Sequence, residues 1–206
     1  MPIVGDEFDK VRFLKLLFHM NDTYIDHDWD IVAHENPFHR PEEWPERQPL
    51  VNVVAFTLMP NHAHLLLKEI EEGGISAFMQ KVGQSMTNHF NLKYHQKGSL
   101  FQGPYRGKTI NDDEYLRYVA AYIMVKNVFE LYPKGGLKGA ITHFDPAWRW
   151  AVTYRFSSLS TYAGESTLPI LETGLLGEIF SDPRDFKEFG RDVILGGKWT
   201  DVDMEA

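Results

Sequence analysis

The chain contains no cysteine, which excludes a disulfide-stapled scaffold, a thiolate-held zinc and a thiol nucleophile. It has no apolar run near the ~20 residues a bilayer crossing needs, and its first twenty residues are charged and amphipathic, not signal-like. These absences predict a soluble, cytoplasmic protein with no membrane partner. A third absence is local: no Asp or Glu occurs between Gln80 and Ile110, although the whole chain carries a net charge of −8. In that window the charged residues are Lys81, Lys93, Lys97, Arg106 and Lys108, interleaved with Phe101 and Tyr105. A basic, aromatic-bearing segment in an acidic protein suits local contact with a phosphate backbone. It is equally the pattern of a solvated helix face.

What is present begins with length. At 206 residues, with 43% hydrophobic and 24% charged residues, the chain is long enough for one domain with a sizeable core. It shows no internal repeat and no low-complexity segment. The most informative stretch is Phe56-Thr-Leu-Met-Pro-Asn-His-Ala-His-Leu-Leu-Leu-Lys-Glu-Ile70. Two β-rich runs flank Pro60-Asn61, the signature of a tight strand-to-strand connection. His62 and His64 stand two apart, so on a strand both imidazoles project from one face. Two such imidazoles are half of a metal site, or else a polar edge residue beside a hydrogen-bonded core histidine.

Helix signals surround this hairpin. Asp6 predicts the cap of a helix to Met20 that buries Phe8, Val11, Leu14, Leu17 and Phe18. Residues 21–50 read as a long loop insertion, whose His27, His34 and His39 match no metal-ligand spacing and are expected to be solvated. A second helix is expected from Ser76 to Tyr94. A strand is expected over Tyr105–Ile110, then a helix capped by Asn111, with Glu114 completing a capping box, to Phe129. That helix carries an apolar stripe of Leu116, Val119, Ala120 and Ile123. Beside it runs a second stripe of Tyr115, Tyr118, Tyr122 and Lys126, either a core margin or a reactive phenol near the histidines. Residues 164–206 read as an acidic tail with short helices.

The ordered set of stretches resembles the single-tyrosine transposases of the HUH endonuclease superfamily, which include REP-associated tyrosine transposases and small insertion-sequence transposases. Leu58-Met-Pro-Asn-His-Ala-His-Leu-Leu-Leu67 resembles the metal-binding strand, and Gly98-Ser-Leu-Phe-Gln-Gly-Pro-Tyr-Arg106 the glycine-to-strand segment. Asp112-Asp-Glu-Tyr-Leu-Arg-Tyr-Val-Ala-Ala-Tyr-Ile123 resembles the tyrosine-bearing helix, and Phe156-Ser-Ser-Leu-Ser-Thr-Tyr162 the closing segment. The likeness covers residues 1–163. It implies an α+β, ferredoxin-like βαββαβα fold with an antiparallel sheet, its first strand missing or cut down to Pro2-Ile3-Val4, and a helical C-terminal tail.

The same likeness makes His62 and His64 metal ligands and Tyr122 the nucleophile. It implies Mg2+ or Mn2+, although imidazoles alone would suit zinc or a late transition metal. The family often sets Asn or Gln one turn after the tyrosine as a third ligand. Here Lys126 stands there, and a lysine ammonium has no lone pair to offer. Either Asn127 takes the role through a local helix adjustment, or water does; Lys126 could instead hold the scissile phosphate or lower the phenol's pKa. The expected activity is cleavage and rejoining of single-stranded DNA through a 5′-phosphotyrosine. The expected partner is single-stranded or hairpin DNA held by Lys81, Lys93, Lys97, Arg106, Lys108 and Lys126, with a homodimer as one assembly. The rival expectations are a DNA-binding or regulatory protein of this fold without catalysis, and a metal-dependent phosphoester hydrolase using the two histidines.

Overall fold

In the computed structural model, which describes residues 2–198, the first helix is α1, Glu7–His19. Asp6 caps it as expected, its carboxylate accepting the Asp9 N–H at 3.0 Å and satisfying a donor that helix geometry leaves over. Leu14, Leu17 and Phe18 are buried, but Phe8 is 58% exposed. It sits in the first turn, ahead of the apolar run, with the Lys93 ammonium 5.2 Å from its ring centroid.

The insertion at 21–50 is a tied loop with one short helix, α2 (Trp29–Val32). Asn21 closes its neck: the side-chain amide donates to the Val51 carbonyl at 2.8 Å and accepts the Leu50 and Val51 N–H groups at 2.9 and 3.0 Å. Asp30 anchors the loop to α1 through Arg12 at 2.6 Å. His27, His34 and His39 are exposed, as expected.

β1 (Val51–Leu58) and β2 (Ala63–Glu69) pair antiparallel in a two-stranded sheet. β2 starts one residue after His62, so of the two histidines only His64 lies within the strand. The strand expected over Tyr105–Ile110 does not form; residues 105–112 adopt neither helix nor strand, and 105–109 are exposed. Gly103, Pro104 and Gly107 explain this, since glycine weakens a strand and proline withholds a ladder donor. Pro2-Ile3-Val4 forms no strand either, although the Ile3 N–H donates to the Pro60 carbonyl at 2.9 Å. The class is therefore α+β with a smaller sheet than the ferredoxin-like expectation.

The chain divides into two compact units. The first comprises Met1–Val53, Pro60–His62 and Leu67–Arg106. It includes α3 (Gly74–Tyr94), which buries Phe78, Val82, Met86 and Phe90 at four-residue steps. Asp9 joins α1 to α3. Its fully buried carboxylate accepts from Gly5 N–H (2.7 Å), Tyr94 Oη (2.6 Å), His89 Nε2 (2.8 Å) and Lys93 Nζ (2.6 Å). Burial raises the pKa of this group, but the bonds from Lys93, Tyr94, Gly5 and His89 outweigh it and hold the carboxyl well below its usual range. Residue 5 has to be glycine for this, because a Cβ there would collide with the Tyr94 hydroxyl.

The second unit takes Val54–Met59, Ala63–Leu66 and the chain from Gly107 onward. α4 (Asp113–Ala121) is capped by Asp112, which accepts the Tyr115 N–H at 2.7 Å, one residue later than the expected Asn111. It continues as a π-helix over Tyr122–Lys126 and then α5 (Asn127–Glu130). Next come α6 (Gly136–Thr142) and α7 (Phe144–Ala151), which glycine punctuation hides in the sequence, then α8 (Leu159–Tyr162), α9 (Gly174–Ile179) and α10 (Pro183–Leu195). The described part of the acidic tail packs inward: Phe186 lies against Trp148 and Tyr162, and Phe189 against Tyr118.

Candidate active site

The second unit builds its site on one widened helical turn. Leu116, Val119, Ala120 and Ile123 are buried as the apolar stripe requires. From Tyr122 the backbone leaves the α pattern, and the Asn127 N–H donates to the Tyr122 carbonyl five residues back. A π-turn holds one residue more than an α-turn and is frequent at functional sites. β1 supports it: the Thr57 hydroxyl donates to the Ile123 carbonyl at 2.7 Å and shares a hydrogen bond with Ser157 Oγ at 2.8 Å. Ser157 is held there by the closing segment, in which Phe156 O accepts the Leu58 N–H and the Ser158 N–H donates to Phe56 O, both at 2.9 Å. The Phe-Ser-Ser sequence thus lies along the edge of β1 and steadies the hydroxyl beneath the tyrosine-bearing turn.

Tyr122 is 3% exposed. Its ring meets that of His64 edge-on, with centroids 5.6 Å apart and planes at 88°. Lys126 Nζ donates to the Tyr122 hydroxyl at 3.2 Å and pairs with Glu130 Oε1 at 2.9 Å. Only 5% of Lys126 is exposed. That burial works against its charge, yet the bonds to Glu130 and Tyr122 outweigh it and raise the lysine above its usual range. Tyr115 and Tyr118, the other members of the stripe, face elsewhere in the unit: Lys108 lies 5.4 Å from the Tyr115 ring centroid and Tyr118 packs on Phe189.

A histidine from the hairpin strand beside the tyrosine of a later helix is the pairing that the resemblance requires. Residues 46–126 match the family model described as "Transposase IS200 like". That stretch is similar to the IS200-like transposases. No curated protein and no solved structure matches it. The matched span includes His62, His64 and Tyr122 and stops at Lys126, one residue short of Asn127.

Transposases of this family are generally metal-dependent, which raises the question of which donors this chain offers. Among the described residues no three His, Cys, Asp or Glu side chains group as a cation site, so a third donor has to be of another kind. Asn127 is 1% exposed, and its Oδ1 and Nδ2 are both buried without a hydrogen-bond partner. Buried amides are nearly always satisfied, and an orphaned one fits a ligand that arrives from outside the chain. His64 is half-buried in β2; His62 belongs to the first unit, its Nδ1 2.8 Å from Asn61 Oδ1. Within the second unit an imidazole and an amide carbonyl oxygen suit a divalent ion in kind.

The predicted DNA-contacting cations divide. In the first unit Lys93 is bound by Asp6 and Asp9 at 2.7 and 2.6 Å, and Lys81 Nζ donates to the Asp22 carbonyl at 2.7 Å. Lys97 and Arg106 are exposed there, as is Lys108 in the second unit. Lys126 belongs to the tyrosine and not to the surface. Ser157 entered the sequence reading only within the closing segment, and Thr57 and Glu130 escaped it as site residues. Only Glu130 had a visible signal, its four-residue spacing from Lys126.

Proposed function

We propose that this protein is a transposase that cleaves and rejoins single-stranded DNA with Tyr122 as the nucleophile. The observation that carries the reading is the apposition of His64 and Tyr122 within one unit, on the turn where the helix widens. The Tyr122 oxygen attacks phosphorus and the bond to the 3′ oxygen breaks, its electron pair leaving with that oxygen. The phenol proton is lost, and the departing strand gains one as a 3′ hydroxyl. Because the 5′-phosphotyrosine keeps the phosphodiester linkage, a second 3′ hydroxyl reverses the step and joins strands. Within the second unit His64 and Asn127 would hold Mg2+ or Mn2+, which when bound supplies Lewis-acid polarisation of the phosphate. The tyrosine is covered in this state, so attack requires the residues over it to move. The π-turn, with one residue in excess, is where the helix can yield.

The test is a single-stranded oligonucleotide incubated with protein and Mn2+, run on a denaturing gel and the adduct mapped by mass spectrometry. A covalent product on Tyr122, lost in Tyr122→Phe with binding retained, is the expected result. Adduct on Tyr115 or Tyr118, or cleavage that survives Tyr122→Phe, sinks the proposal. The burial of Tyr122 favours a second reading, a DNA-binding protein without catalysis. It wins if the wild type binds the oligonucleotide and yields no adduct.

A further inference from the structure

We propose that Lys126 is a catalytic residue of this reaction and that Glu130 is its positioning residue. The inference rests on the transposase reading and adds a cation supplied by the chain itself. Tyr122, Lys126 and Glu130 follow at four-residue steps, so each lies one turn beyond the last. Lys126 Nζ bridges the other two, at 3.2 Å from the phenol oxygen and 2.9 Å from the carboxylate, and lies 4.5 Å from the Tyr122 ring centroid.

Lysine is a costly residue to bury at this position. It gives up a hydrated charge and a flexible stem, and a neutral amide would fill the space without that cost. The geometry accounts for the expense. As Tyr122 attacks, its P–O bond forms, the bond to the 3′ oxygen breaks with its electron pair, the phenol proton passes to solvent and the 3′ oxygen takes one from solvent. The ammonium meets the charge that builds on the phenol oxygen and then stands beside the anionic oxygens of the aryl phosphodiester. Lys126 remains an ammonium throughout and neither gives nor takes a proton. Glu130 fixes the stem and balances the charge while no phosphate is present.

Lys126→Met, Lys126→Arg, Glu130→Gln and the Met/Gln double variant test this, each checked for folding by its melting curve. Lys126→Met is expected to slow single-turnover adduct formation by about 100-fold, the usual effect of removing one donor aimed at developing charge. Its oligonucleotide dissociation constant should stay within about threefold, and Lys126→Arg should recover the rate to within about tenfold. Glu130→Gln should slow the reaction about tenfold in the wild-type background and not at all beside Lys126→Met, since it acts through the lysine. Wild-type rates in Lys126→Met, equal losses of rate and affinity, or additive effects in the double variant overturn the proposal. A 13C-tyrosine Cζ resonance of Tyr122 reads the contact without turnover. If it does not move in Lys126→Met, or in Lys126→Gln should the Met variant not fold, the proposal fails whatever the activity. A resonance that moves in a wild-type protein that forms no adduct leaves the contact intact and removes the transposase reading, and the catalytic role with it.

Discussion

Asn127 carries a cost that can be read at the scale of one residue. Both polar atoms of its side chain are buried and unpartnered, and an unsatisfied buried polar group destabilises a fold by about 1–3 kcal/mol. Asn127→Leu, similar in volume and without polar atoms, should therefore stabilise the protein by about 1–2 kcal/mol. The melting temperature would rise by a few degrees while metal-dependent adduct formation falls. Calorimetry with the gel assay checks both; a lowered melting temperature would mean that the amide is satisfied in solution.

At the scale of the element, the π-turn sets the register after Tyr122. It places two residues one turn beyond Tyr122, Lys126 at four positions and Asn127 at five. An α-helix would bring only the first into line. In the proposed reading the turn lets Asn127, one residue late, stand in for the neutral ligand whose place Lys126 occupies. Deleting Lys126 should restore an α-helix with asparagine four residues after Tyr122, because the surplus residue is the one the turn accommodates. The deletion should cost less than about 1–2 kcal/mol in a urea melt, whereas deleting Tyr118 from α4 rotates the buried stripe and should cost more than about 4 kcal/mol. Equal costs would count against this account of the turn. The hairpin was legible because its alternation and Pro-Asn turn are local. The missing Tyr105–Ile110 strand was not, because pairing depends on a partner edge that no local pattern reports.

At the scale of the whole molecule, charge and pH behave differently from what composition suggests. His19, buried against Trp29 and bonded to the Pro37 carbonyl at 3.0 Å, has its pKa lowered from 6.5 to about 4, first by burial and then by Arg47 and Lys15, against the Pro37 bond. The unfolded chain takes up the proton near pH 6.5 and the folded chain only near 4. This contribution to stability is therefore full above the unfolded pKa and is lost as pH falls through that window, by roughly 3 kcal/mol. The urea midpoint should decline between those pH values, and His19→Gln should flatten the decline. Of six cations expected on DNA, Lys81, Lys93 and Lys126 are half-buried or buried, whereas Lys97, Arg106 and Lys108 are exposed. The logarithm of single-strand affinity against that of salt should then have a slope of about −2, at ~0.7 per phosphate neutralised. A slope near −4 would mean that Lys81, Lys93 and Lys126 also reach the backbone.

The chain by itself determined the likeness to IS200-like transposases over residues 46–126 and the hairpin around Pro60-Asn61, because those rest on residue order and on local alternation. Only the tertiary structure decided the register after Tyr122, the cover over its ring, the orphaned amide and the cations drawn inward. Each depends on groups far apart in the chain, as with the Thr57 hydroxyl on the Ile123 carbonyl 66 residues away and Lys93 on Asp9 84 residues away. No periodicity in a linear sequence encodes which distant partner will satisfy a buried charge or a released carbonyl.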